Sequence, residues 1–345
     1  MKYRVRHRSR YSYARQVQLS YHALHLRPRQ TAHQHVLRAS ISTDPAPATL
    51  SEGADYFGNG LDLLTVTEPH LRLTVDLDAV VDVAFPPPPD ATPGWERVRD
   101  LLRAARGPEL SAAAEFTYPS ALATADEAIA RYAAASFAPG REVLDGAREL
   151  TARIHRDFAF DPEATSISTP LAETMRMRRG VCQDFAQIQI AGLRSLGLAA
   201  RYVSGYIRND RGAAPVPAWL DGRDASPEAG VQGGLPFAGT AFAGVAFAGA
   251  AGDAGLGTAV PPVAGSADDA HCEFVGADAS HAWVSVYCPG SGWIDLDPTN
   301  DLLVRQSHVV LAWGRDYRDV SPISGILVGG GEHALDVEVA VQALS

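Results

Sequence analysis

A chain of 345 residues with 46% hydrophobic side chains and a formal net charge of −10 has the makeup of a large globular protein, long enough for about two domains. No apolar run approaches the roughly 20 residues of a membrane span, and three cysteines are too few for a disulfide framework. The basic start MKYRVRHRSRYSYARQ is not followed by an apolar h-region, so no secretory signal is expected and the cytoplasm is the expected compartment.

Residues 1–90 alternate in the manner of strands, LRLTVDLDAVVDV among them, and predict a β-rich, β-sandwich-like N-terminal domain. Their first 44 residues hold nine Lys or Arg against the single acid Asp44, a balance that invites an acidic partner such as nucleic acid. Yet Arg4, Arg6, Arg8 and Arg10 alternate with Tyr3, Val5, His7 and Tyr11, as on the solvated face of an outer strand, and no nucleic-acid partner is expected. His33 and His35 lack a third ligand beside them and read as a solvent-facing pair. After FPPPPDATPG, residues 91–140 read as a linker and helical segment. Residues 141–320 form the next unit. Val143, Leu144, Ala147, Leu150 and Ile154 make one helical stripe, and Thr169-Pro170 opens a short helix, as N-cap and first residue, that ends near Gly180.

That short helix delivers the chain to RRGVCQDFAQIQIAGLRSLGLAARYVSGY. Phe185, Ile188, Leu193 and Leu196 recur at helical spacing and Gly197 follows as a C′ residue, which puts Cys182 in the first turn of a buried helix. Unpaired N–H groups and the helix dipole favour a thiolate there. A base and its support come from DASHAWVSVYCPGSGWIDLDPTN. His281, Trp283, Ser285 and Tyr287 share one face of a strand, and Trp293, Asp295 and Asp297 share a face of the next, after a turn at Pro289-Gly290-Ser291-Gly292. Pairing centred on Gly290 sets Tyr287 opposite Trp293 and leaves His281 diagonal to Asp297, within reach for a ring and a carboxylate. Nucleophile, base and orienting carboxylate converge, and that is acyl-transfer chemistry. Asp295 shares the face of Asp297 and is its rival for His281. Cys272 and Cys288 read as free thiols, Cys288 in the core.

The segments GVCQDFA, ARYVSGY, DASHAWVSVY, GWIDLDPTN and HVVLAWGRDYRDVSPISG resemble the core motifs of the bacterial transglutaminase-like superfamily, and YRVRHRSRYSYARQVQLSYHALHLRPR with DYFGNG resembles its β-rich N-terminal region. The resemblance implies an α+β fold: an N-terminal β-sandwich-like domain plus a papain/transglutaminase-like core in which a helix bearing the Cys packs on an antiparallel sheet. It implies a catalytic triad of Cys182, His281 and Asp297. Asp184 and Tyr206 match the family pattern and are expected either to shape or buttress the site or to serve a structural role, with Gln183 and Trp283 as further candidates for shaping it. The expected substrate is a peptide or protein, with an amine as acceptor in a transferase and water in a peptidase or amidase. A noncatalytic interaction module is the remaining reading. No cofactor, metal or membrane partner is expected.

At about 209–275 the pattern collapses into a low-complexity insertion rich in Gly, Ala and Pro, expected to be disordered, with a lid as the alternative. Asp268, Asp269, His271, Cys272 and Glu273 lie in it with no second ligand pair at a metal-binding spacing. In residues 321–345, HALDVEVAVQAL alternates as a half-buried strand whose simplest place is the sheet of the N-terminal domain.

Overall fold

A computed structural model describes residues 1–208, 274–276 and 279–344. The insertion through residue 273, Cys272 and the acidic cluster with it, lies outside the described residues. The N-terminal region is built on β1 (Lys2–Leu24), followed by β2 (Gln34–Asp44), β3 (Thr49–Ala54), β4 (Gly60–Val66) and β5 (His70–Val83). Next come α1 (Trp95–Ala104), α2 (Pro108–Ala114), α3 (Glu127–Ala134) and α4 (Val143–Asp157), then β6 (Ala159–Phe160), α5 (Leu171–Met177), β7 (Arg179–Gly180), α6 (Cys182–Ser195) and β8 (Ala200–Ile207). Beyond the insertion lie β9 (His281–Cys288), β10 (Gly292–Asp297), β11 (Leu302–Leu303), β12 (His308–Gly314), β13 (Ile323–Gly329) and β14 (His333–Leu344). Among the described residues no helix is long and apolar enough to cross a membrane.

The first five strands and the last two form one curled antiparallel sheet, and β1 is the reason that it curls. Along Lys2–Ser12 this strand lies between β5 and β14, whereas along Ser20–Leu24 its neighbours are β4 and β13. A strand of 23 residues that exchanges both partners midway carries two sheet segments that cannot stay coplanar under strand twist. Its odd residues Tyr3, Val5, Tyr11 and Tyr13 are buried, as alternation requires.

The expectation of an outer strand is corrected: β1 is internal to its sheet. Its arginines tolerate that place because acids stand opposite them on both neighbours. Arg8 makes two bonds to Asp76 (2.6 and 2.9 Å), Arg4 reaches Asp78 at 2.6 Å, and Arg10 bridges Asp336 and Glu338 at 3.2 and 2.8 Å. Each half-exposed pair contributes little to stability, but together they set an acid beside Arg4, Arg8 and Arg10 along the strand.

In the core, β11, β10, β9, β8 and β12 lie in that order as a five-stranded antiparallel sheet. Helix α6 packs on β8 and β9 and is wrapped by α3, α4 and α5. Twelve of its fourteen residues are buried, so a helix with polar Gln187 and Gln189 is nonetheless central. Gln189 Nε2 donates to Thr151 Oγ1 of α4 at 2.8 Å, which belongs to the same face as the predicted stripe, all of it buried. The helix ends where sequence predicts: Leu196 caps it and Gly197 takes a positive φ of 75°. At α5 the cap is Pro170 and the first helical residue Leu171, one position later than the sequence reading.

Candidate active site

The start of α6 is locked by local chemistry. Val181 is the extended N-cap, and Asp184, three residues on, reaches back so that its Oδ2 accepts from the Val181 N–H at 2.9 Å and from Thr165 Oγ1 at 2.6 Å. A Cβ at Gly180 would lie 2.5 Å from that oxygen, which is why the residue before Val181 is glycine. Burial pushes the Asp184 carboxyl above its usual range, against the two hydrogen bonds. Asp184 therefore buttresses the turn that presents Cys182, the first helical residue, whose own N–H lies in the turn with no intrahelical acceptor. Gln183, half-buried beside it, makes no side-chain hydrogen bond among the described residues.

The β9–β10 hairpin adopts the register centred on Gly290. Tyr287 pairs with Trp293, Asp295 with Ser285 and Leu296 with Val284, across a loop of three residues in which Gly290 has φ 88°. This brings His281 Nε2 to 2.8 Å from Asp297 Oδ2, both side chains fully buried. The rival Asp295 is engaged elsewhere: its Oδ2 accepts from the Trp283 indole N–H at 3.0 Å. Gly205 of β8 pairs with His281, and a Cβ there would overlap the Trp283 ring and the Val309 carbonyl, so YVSGY needs its glycine for the sheet to close over the indole. Tyr206 is fully buried and bonds His7 Nδ1 at 2.9 Å, joining the core sheet to the N-terminal sheet.

Burial alone would lower the His281 imidazole; the Asp297 carboxylate, with a further contribution from the adjacent Cys182 thiol, more than offsets it and raises the ring to about 10. Nε2 is committed to Asp297, and among the described residues Nδ1 has no hydrogen-bond partner within bonding distance, with the Cys182 thiol its neighbour. Burial likewise opposes ionisation of Asp297, but His281 and then His308 hold it well below the usual carboxylate range. Cys182, His281 and Asp297 are 3%, 1% and 0% exposed, so the group is closed off from solvent.

Three residues that sequence reasoning missed complete the carboxylate. Oδ1 accepts from the Thr299 and Asn300 amides at 2.9 and 3.2 Å, and Oδ2 accepts from Asn300 Nδ2 at 2.8 Å and faces His308 Nε2 at 3.3 Å. The Thr299 and Asn300 contacts are readable in DPTN as an Asx-type turn. His308 carries no such signal, because only strand pairing brings β12 there. His281, Asp297 and His308 place three ligand-type atoms within 4.8 Å of one another. The two imidazoles lie at hydrogen-bond distance from Asp297 Oδ2, 2.8 and 3.3 Å, and the Thr299 and Asn300 amides hold Oδ1.

Residues 3–82 match the bacterial transglutaminase-like N-terminal region, and residues 130–298 match the transglutaminase-like superfamily. An uncharacterised protein of Mycobacterium tuberculosis is 36% identical over 350 residues, covering 99% of this chain and 92% of the relative. The chain belongs to the transglutaminase-like superfamily. An uncharacterised protein of Mycobacterium leprae is 26% identical with 99% of both chains covered. A solved structure described as that of a candidate cysteine protease from Cytophaga hutchinsonii superposes with a TM-score of 0.65 at 19% identity, covering 100% of this chain and 92% of the other, and so shares the fold. The transglutaminase-like match holds Cys182, His281 and Asp297 and ends before Asn300 and His308.

Proposed function

We propose that this transglutaminase-like protein is a thiol enzyme that cleaves an amide or peptide bond through an acyl-enzyme on Cys182, with His281 as proton carrier and Asp297 as its support. The observation that carries the proposal is the His281 ring, held through Nε2 by a buried carboxylate at 2.8 Å and left open at Nδ1 toward a thiol at a helix start. The sulfur attacks the carbonyl carbon while Nδ1 holds the thiol proton. As the tetrahedral adduct collapses, that proton passes to the departing nitrogen, the C–N bond breaks and a thioester remains. The Cys182 N–H faces the developing oxyanion. An acceptor then gives its proton to Nδ1 and takes the acyl group, and the free thiol returns.

Acyl transfer to an amine on a peptide or protein is the preferred reading and hydrolysis the second; with the group only 0–3% exposed, either acceptor reaches it only once the site opens. The test is mass spectrometry of the Cys182 peptide after incubation with a library of peptide amides, with and without added amine. Acyl-enzyme that persists in water and is discharged by amine supports the transferase; rapid discharge by water alone makes the protein a peptidase or amidase. No acyl adduct on Cys182 across the library, with alkylation of that thiol no faster than in the unfolded chain, would leave only the interaction-module reading.

A further inference from the structure

We propose that His308 is a positioning residue of the site, a second imidazole that donates to the Asp297 carboxylate and fixes the oxygen that supports His281. The proposal rests on the reading of Cys182, His281 and Asp297 given above. His308 opens β12, two strands away from β9 in the core sheet, and is fully buried. Its Nε2 lies 3.3 Å from Asp297 Oδ2, the oxygen that His281 uses, and its Nδ1 lies 3.1 Å from Ser307 Oγ. A carboxylate only accepts, so the proton sits on Nε2; the neutral ring then accepts the Ser307 hydroxyl proton at Nδ1.

Neutrality matters here. Burial holds His308 below its ordinary value against the pull of Asp297, and the neighbouring His281 lowers it further. One carboxylate thus faces one imidazole that takes a proton and one that does not. A lysine or arginine in that place would compensate the Asp297 charge and weaken its hold on His281, whereas a neutral N–H donor orients the oxygen without removing the charge. The ring is fixed in turn by edge-on packing against the Trp283 indole, with centroids 5.1 Å apart at 79°. Trp283 is itself anchored on Asp295. His308 could otherwise be a core histidine whose hydrogen bonds merely satisfy it. The two roles differ in whether restoring a donor at the Nε2 position restores the reactivity of Cys182.

The probe is iodoacetamide, with Cys182 alkylation in the full chain followed by peptide mass spectrometry and thermal unfolding recorded in parallel. His308→Leu is expected to slow alkylation about tenfold or more at neutral pH, while His308→Gln, whose amide N–H₂ falls near the Nε2 position, stays within about threefold of the natural chain. Equal rates in His308→Leu and the natural chain, or a His308→Gln variant as slow as His308→Leu, would overturn the proposal. Should His308→Leu fail to fold, ring ¹⁵N resonances of the natural chain decide: a neutral Nε2–H form of His308 supports the role and an Nδ1–H form sinks it. A His281→Ala variant that alkylates as fast as the natural chain would remove the triad itself, an outcome distinct from failure at His308 alone.

Discussion

Asp297→Asn exposes the logic of the buried pair most directly. The carboxylate accepts two backbone amides at Oδ1 and meets three side-chain donors at Oδ2. An amide keeps one oxygen, so whichever way it turns its NH₂ confronts donors, and rotation cannot relieve the conflict. If the oxygen stays with the Thr299 and Asn300 amides, the NH₂ faces His281 Nε2 and drives that ring into the tautomer with its proton on Nδ1, which then cannot receive the thiol proton. Breaking a buried ion pair from one side costs roughly 3–5 kcal/mol, much of it the charge left behind. The rate of acyl-enzyme formation should fall on the order of 10³–10⁴-fold with little change in substrate binding, as for loss of tautomer support in other triads.

The pH dependence has a definite sign. His281 is raised to about 10 in the folded chain, so its contribution is fully present below its unfolded value near 6.5 and is lost as pH rises through about 10. Asp297 is depressed, so its contribution is present above its unfolded value near 3.9 and is lost as pH falls further. The stability gap between the natural chain and Asp297→Asn should therefore be widest between about pH 4 and 6.5 and narrow toward pH 10. Urea unfolding across that range, with acyl-enzyme formation by stopped mass spectrometry, measures both. A gap as large at about pH 10 as at about pH 5, or a variant keeping more than about a tenth of the rate, refutes the reasoning.

Cys182→Ala should lose acyl-enzyme formation entirely and unfold within about 1–2 kcal/mol of the natural chain, since a small apolar side chain replaces a small buried one; residual turnover would mean another nucleophile. Cys288→Ala should keep the activity and cost about 1–2 kcal/mol, because that thiol is fully buried and pushed up to about 12 by burial; strong inactivation would contradict its assignment to the core. Gly205→Ala should destabilise by roughly 1–3 kcal/mol or more, since its methyl meets the Val309 carbonyl and the Trp283 ring; an unchanged melting temperature would show that β8 and the indole can separate freely. Gln34→Ala should cost roughly 1–3 kcal/mol by removing the acceptor of the buried Val310 N–H; calorimetry showing no loss would mean that this amide finds another partner.

The sequence made the local parts of this site legible and hid the long-range ones. A helix start is written in consecutive residues, so Gly180, Cys182 and Gly197 could be placed from spacing alone. A hairpin is nearly as local, and the alternation of His281, Trp283 and Trp293 with one turn determined its register. Choosing Asp297 over Asp295 was harder, since both share a face; the indole N–H of Trp283 takes one carboxylate and leaves the other for the imidazole. His308 was invisible because it reaches Asp297 only after β12 has paired with β8, across the insertion. Placing β1 at an edge failed for the same reason: the acids that neutralise its arginines stand on β5 and β14, the latter more than 300 residues away in sequence.

The same long-range pairing explains why a β-rich region accompanies the core. β12 is an edge strand of the core sheet, and a strand edge left open is a row of unpaired polar groups. Two buried side-chain amides from the N-terminal region close it as a neighbouring strand would. Gln34 accepts from the Val310 N–H at 2.8 Å and donates to the Val310 carbonyl at 2.7 Å; Asn59 does the same for Trp313, at 2.9 Å each way. The Arg29 guanidinium lies 3.6 Å over the Trp313 ring and donates to Asn59 Oδ1 at 2.6 Å, which fixes the amide in the orientation that this pairing needs. The strand so held is the one that begins at His308. Changes in DYFGNG or near Gln34 are therefore expected to act first on β12, the strand that carries His308, without touching Cys182 or His281.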